Sequence, residues 1–253
     1  MKAAGKLFLC CAALLGVLCG CAAKEQTPIH SPTWSTTADT TIRTAKKIAI
    51  DAGHQAKGNS EPEPIGPGAS ESKAKVSSGT QGVTTGVPEY QLTLAVAKRL
   101  REQLLARGYE VYMIRESHDV DISNRERAQR AAAAGADILV RIHANGSENP
   151  ADNGIMMVVP TPDSPFVPQL YQSSRRLADD MLAAMLETTG AESKGVWETD
   201  TMSGINWSTI PVVLVEMGYM SNPREDELMQ RAEYQEKLAK GMAQGIERFF
   251  GGG

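Results

Sequence analysis

The 253-residue chain predicts an α/β fold, a single domain in which a mostly parallel, twisted sheet carries helices on both faces. Three observations lead there. Short apolar runs of strand length alternate with stretches of helical period over residues 46–250, the pattern of repeated βα units. With 42% of its residues in hydrophobic types, the chain is long enough for one sizeable core. The apolar runs also end in polar, chemically capable residues, as expected where a parallel sheet presents its carboxyl edge.

The elements follow in order. Ile48-Ala49-Ile50 is a buried strand that runs into Asp51-Ala52-Gly53-His54. Residues 55–87, rich in Gly, Ser, Pro, Glu and Lys, read as a long loop, a length that is often functional. A helix starts near Pro88, since proline suits a first turn. Its Leu92, Val96, Leu100 and Leu104 form an apolar stripe, and Gly108 stops it. Residues 109–114 are a strand. Ser123 and Glu126 have the spacing of a capping box, which opens a helix running to about Gly135. Residues 138–143 are a strand ending in His143, and residues 154–160 another. Residues 168–189 are a long amphipathic helix. Residues 211–216 are a buried strand ending in Glu216. Asn222 caps a short helix with Pro223 in its first position. The last helix ends near Phe250.

The N-terminal part is of another kind. Lys2 and Lys6 precede an almost wholly apolar stretch, residues 7–18, which is short for a bilayer-spanning helix and reads with its flanks as a signal peptide over residues 1–20. Leu18-Cys19-Gly20-Cys21 resembles a bacterial lipobox, which implies cleavage before Cys21 and lipid on that cysteine. Cys19 is unusual inside such a box, and ordinary cleavage near Ala22 or Ala23 is the simpler alternative. Acyl chains on Cys21 would anchor the chain stably to a membrane. Residues 21–45 then carry the lipidated cysteine and a Thr-, Ser- and Pro-rich flexible tether. All four cysteines lie within the first 21 residues. The folded part therefore has no disulfide and no thiolate site, and a metal there must take histidine and carboxylate ligands. A net charge of −4 gives no footing for nucleic-acid binding.

The chain has four histidines. His30 lies in the tether and His118 in a polar loop, whereas His54 and His143 follow apolar runs. Two histidines at strand ends point to a metal more than either alone would. Glu216 follows Val212-Val213-Leu214-Val215, so its carboxylate must be paired, protonated or set against a metal-activated water as general base. From spacing alone, Glu89 serves a helix dipole more readily than a metal. Asp51 reads equally as a turn residue and as an orienting partner for a ligand histidine. Arg141 points the same way as His143, two residues on, toward substrate or Glu216. Asn206 and Trp207 are candidate substrate contacts, more simply loop anchors.

Four segments carry a family resemblance. Ile48-Ala49-Ile50-Asp51-Ala52-Gly53-His54, Glu89 at the head of its helix, Arg141-Ile142-His143-Ala144-Asn145 and Val215-Glu216-Met217-Gly218-Tyr219-Met220-Ser221-Asn222 occur in this order. Together they resemble the zinc-dependent N-acetylmuramoyl-L-alanine amidases of the amidase-3 family, over residues 46–250. Ile114-Arg115 and Arg125-Glu126-Arg127 fit as well. Ala52 stands where that family usually has proline, and Arg141 where it commonly has serine. The resemblance implies one Zn2+ held by His54, Glu89 and His143, with Glu216 as catalytic base. It implies hydrolysis of the amide between the lactyl group of N-acetylmuramic acid and L-Ala of the peptidoglycan stem, in an enzyme outside the cytoplasm and facing the cell wall. The alternatives are a zinc peptidase acting on stem peptides and a non-catalytic peptidoglycan-binding lipoprotein.

Overall fold

The computed structural model describes residues 45–251, so the signal peptide, Cys21 and nearly all of the tether lie outside the described residues. The elements are β1 (Lys47–Ala52), β2 (Asn59–Pro64), β3 (Ser72–Val76), α1 (Glu89–Leu105), β4 (Glu110–Met113), α2 (Asn124–Ala133), β5 (Ile138–Asn145), β6 (Ile155–Val159), α3 (Tyr171–Thr189), β7 (Ser193–Glu198), α4 (Ser203–Asn206), β8 (Val212–Tyr219), α5 (Pro223–Met229) and α6 (Ala232–Gly251). Six strands form one sheet in the order β4-β1-β5-β8-β6-β7, parallel throughout except where β6 runs against β8.

Strand alternation sorts the core into two layers. Ile48, Ile50, Val140, Ile142, Val213 and Val215 face α1, α3 and α6, and the α1 stripe Leu92, Val96, Leu100 and Leu104 packs there. Ala49, Leu139, Val212 and Leu214 face the other way, onto Ala128 and Ala131 of α2 and Ile205 of α4. Helices therefore cover both faces, as the alternating pattern predicts. The expected caps form as well. Ser123 accepts from the Glu126 backbone while Glu126 accepts from Ser123, and Asn222 accepts from the amides of Arg224 and Glu225.

Three elements differ from the sequence reading. Residues 55–87 are not one loop, because β2 and β3 pair there as an antiparallel hairpin. Residues 193–198 add an edge strand, β7. The helix expected over 168–189 opens with a turn of 3-10 helix at Pro168–Leu170. Among the described residues no helix is long and apolar enough to cross a membrane.

Candidate metal centre and active-site cleft

The carboxyl edge of the sheet gathers the chemistry. β1 ends at Ala52, and His54 follows two residues later with φ 60°, the one non-glycine with positive φ among the described residues. A non-glycine residue in that region carries local strain and persists only where its surroundings impose it. Two buried arginines do so. Arg127, fully enclosed, donates all five of its N–H groups: Nε to Ile122 O, Nη1 to Asp51 Oδ1 and Ala52 O, Nη2 to His54 O and Gln55 Oε1. Arg115 donates to Ala52 O, Gly53 O and Ser117 O, and to Tyr90 O in the first turn of α1. The second clamp ties the β1 turn to the helix that starts with Glu89.

His143 and Glu216 lie inside β5 and β8 rather than at their last residues, and they pair directly in register. Both strands run on past the positions where the sequence reading ended them, through a register shift after His143. Their side chains project to the same face as Leu139, Arg141, Val212 and Leu214, by strand alternation.

Three ligand atoms converge. His54 Nε2 lies 3.1 Å from Glu89 Oε1, His143 Nδ1 lies 3.2 Å from the same oxygen, and the two imidazole nitrogens are 3.0 Å apart. His54 Nδ1 donates to Ser77 O at 2.9 Å, which leaves a lone pair on Nε2 of the neutral ring. Burial pushes His143 down to about 4, so this ring is neutral at pH 7 despite its bond to Glu89. Burial opposes ionisation of Glu89, but its polar contacts with His143 and His54 outweigh it and hold the carboxyl well below the usual range. Two neutral imidazoles and one carboxylate form the donor set zinc takes at open catalytic sites, where corners about 2.0–2.1 Å from the ion stand roughly 3.3 Å apart. The observed spacings fit that set. Two glycines make room for it. A Cβ at Gly53 would stand 2.5–2.7 Å from the His143 ring, and one at Gly79 2.7–2.9 Å from Glu89 and His54.

Glu216 occupies the wall beside these groups. Its Oε2 is enclosed and has no hydrogen-bond partner among the described residues. Burial and the charge of Glu89 push it up to about 8, against the pull of Arg141. All four residues line an open cleft of about 800 Å³, bounded by β3 of the hairpin, the segment Thr201–Gly204 and the stretch Gly146–Glu148.

The remaining candidates fall elsewhere. Asp51 bonds to Arg127 at 2.7 Å and Arg141 at 2.9 Å, and among the described residues no hydrogen bond joins it to either histidine. Burial works against its charge, and the two guanidinium groups outweigh burial, so its carboxyl stays far below the usual range. Its effect on His54 runs through Arg127. Arg141 lines the cleft but bonds to Asp51 and Asn124, not to Glu216. Asn206 and Trp207 do not line the cleft. Asn206 donates to Ile65 O and Asp200 O, and Trp207 donates to Pro64 O under the Arg125 guanidinium, so both anchor the hairpin. The sequence reading quoted Arg115 and Arg127 without giving them these roles.

A family model described as N-acetylmuramoyl-L-alanine amidase, Amidase_3, matches residues 48–248. The chain is 28% identical over 246 residues to N-acetylmuramoyl-L-alanine amidase Rv3717 of Mycobacterium tuberculosis, covering 93% of this chain and 96% of that one. It is 29% identical over 170 residues to the amidase LytC of Bacillus subtilis, covering 66% of this chain, which spans about a third (32%) of LytC's length. The crystal structure of the amidase Ami1 from Mycobacterium smegmatis matches with a TM-score of 0.74 at 26% identity, over 82% of this chain and 98% of that one. With the family pattern matched over most of its length, the chain belongs to the Amidase_3 family of N-acetylmuramoyl-L-alanine amidases.

Proposed function

We propose that this chain is a zinc-dependent hydrolase of the amide between the lactyl group of N-acetylmuramic acid and L-Ala of the peptidoglycan stem. One observation carries the reading: a His–Glu–His donor triangle beside Glu216, whose enclosed Oε2 has no hydrogen-bond partner among the described residues, on the adjacent strand of the same open cleft. The names of the relatives and the family match support the choice of bond.

His54, Glu89 and His143 would hold the ion, which when bound supplies positive charge that polarises the scissile carbonyl and acidifies water. Glu216 does the proton work. The charge of the bound ion would favour its ionised form, whose unpartnered Oε2 accepts a proton from the attacking water and returns it to the leaving L-Ala amine. Arg115 and Arg127 keep the His54 turn rigid, so the triangle needs little reorganisation. We further propose that Cys21 is lipidated after removal of residues 1–20, and that the tether holds the domain outside the cytoplasm within reach of the wall.

Purified peptidoglycan digested with residues 46–253, with and without a chelator, tests the activity. New L-Ala amino termini beside intact lactyl groups, lost with chelator, are expected. New carboxyl termini within the stem would make the chain a peptidase, and no product would make it a binder.

A further inference from the structure

Arg141 lies on the cleft floor, and the proton transfers described above do not use it. It is 3% exposed, yet it lines the cleft. Its Nε donates to Asp51 Oδ2 at 2.9 Å and its Nη2 to Asn124 Oδ1 at 2.8 Å. Its Nη1 donates to nothing among the described residues. The local charge does not balance, because the single carboxylate of Asp51 is shared by two guanidinium groups. Arg127 spends every donor on protein oxygens, so the surplus charge reaches the cleft at Arg141. Buried cations of this kind call for an anionic partner.

The surroundings leave space for one. Gly204 packs on the guanidinium, and a Cβ there would overlap Nη1 and Cζ. Asn124, its Oδ1 engaged by Arg141, keeps its amide N–H donors for a ligand. Lys73 of β3 reaches the same rim, where its Nζ donates to Thr201 O at 2.9 Å. The segment Thr201–Gly204 is thus bracketed by two cations, while the Gly146–Glu148 side of the cleft carries a carboxylate.

Resting on the amide-hydrolysis reading, we propose that Arg141, with Asn124 and Lys73, is a carboxylate subsite that makes the enzyme prefer stems with a free α-carboxyl on the residue after L-Ala. The scale agrees. Arg141 and His143 lie two residues apart on one side of β5, about 6.6 Å along a strand. In an extended peptide the second residue beyond the scissile carbonyl is displaced by about 7 Å. The polarity also gives the substrate a direction, with its stem toward Thr201–Gly204.

The test is binding by calorimetry of the tripeptide L-alanyl-γ-D-glutamyl-L-lysine and of its α-carboxamide. Wild type, Arg141→Gln and Gly204→Ala are compared, with thermal melts confirming that each is folded. Gly204→Ala displaces the guanidinium without deleting it, so it stands in if loss of an Asp51 partner unfolds Arg141→Gln. Wild type should bind the free acid at least about tenfold tighter than the amide, as for a charge-assisted hydrogen bond. That preference should vanish in each folded variant. Equal binding of the two peptides to wild type, no binding of either, or a preference that survives in a variant overturns the subsite. Turnover of peptidoglycan by the same preparations reports separately on amide hydrolysis, so loss of one reading is told from loss of the other.

Discussion

Replacing Arg127 by Met should be among the most damaging single changes in the domain, although no atom of that residue touches the cleft. The side chain is 0% exposed and satisfies five acceptors. Methionine fills much of the volume, so the cost is electrostatic. Asp51 keeps Arg141, and Ala52 O keeps Arg115, but His54 O, Ile122 O and Gln55 Oε1 lose a donor. Removing one partner of a buried ion pair costs about 3–5 kcal/mol. Retention of Arg141 by Asp51 offsets part of that, and Gln55 Oε1 keeps the Ile122 amide, but the two orphaned carbonyl oxygens of His54 and Ile122 restore it at about 1–3 kcal/mol for each that stays dry. For a domain of this size about 3–5 kcal/mol corresponds to a fall in Tm of roughly 6–20 °C. Calorimetric melts of the metal-free protein measure it. His54 would also lose the support of its strained φ, so zinc affinity should fall about 10–100-fold, the usual effect of losing a ligand's supporting hydrogen bonds. A melt within about 3 °C of wild type with unchanged zinc affinity would refute the claim that this arginine holds the turn.

Other outcomes follow from the same geometry. Gly53→Ala should displace the His143 ring, since the new Cβ would stand 2.5–2.7 Å from it. Metal titration should then show binding weakened about 10–100-fold with little change in Tm. Glu216 is raised to about 8 in the metal-free fold, so the folded state binds a proton that the unfolded chain releases near 4.5. This group's contribution is fully present below about 4.5 and is lost as pH rises toward 8. Glu216→Gln should therefore melt higher than wild type at pH 8 in chelator, with the gap closing at pH 5, in paired circular-dichroism melts. Trp207→Phe removes the bond to Pro64 O and should cost about 1 kcal/mol, measured by urea unfolding, while leaving the KM for peptidoglycan unchanged; a raised KM would restore Trp207 as a substrate contact.

What the sequence made legible was set by local rules. The α1 stripe, the Ser123–Glu126 capping box and the Asn222-Pro223 start are encoded within a few residues, and each formed. The apolar runs before His54, His143 and Glu216 located the carboxyl edge of the sheet. The hairpin was illegible because Asn59-Ser60-Glu61-Pro62-Glu63-Pro64 has strand-breaking prolines and little apolar content. Its order comes from distant partners, with Glu63 accepting from Ser123 and Arg125, and Trp207 reaching Pro64. β7 is a polar edge strand containing Gly195, which carries almost no periodic signal. Arg127 sits in Arg125-Glu126-Arg127, three charged residues in a row whose local pattern does not say which of them is enclosed. Only the fold reveals that one of them is the most enclosed cation of the site. Glu89 is the reverse case. Its first-turn position was ambiguous on local grounds, and the approach of β1 and β5 makes it the third corner of the triangle.

The central claim is that Glu89 joins His54 and His143 to hold one catalytic ion while Glu216 holds none. Zinc stoichiometry and affinity, measured side by side for wild type, Glu89→Gln and Glu216→Gln, test it most directly. Wild type and Glu216→Gln should each bind one zinc per chain with similar affinity, and Glu89→Gln should bind at least about a hundredfold more weakly, because the carboxylate supplies the only anionic ligand of an open zinc site. Equal zinc affinity in Glu89→Gln and wild type, or loss of zinc in Glu216→Gln, would contradict it.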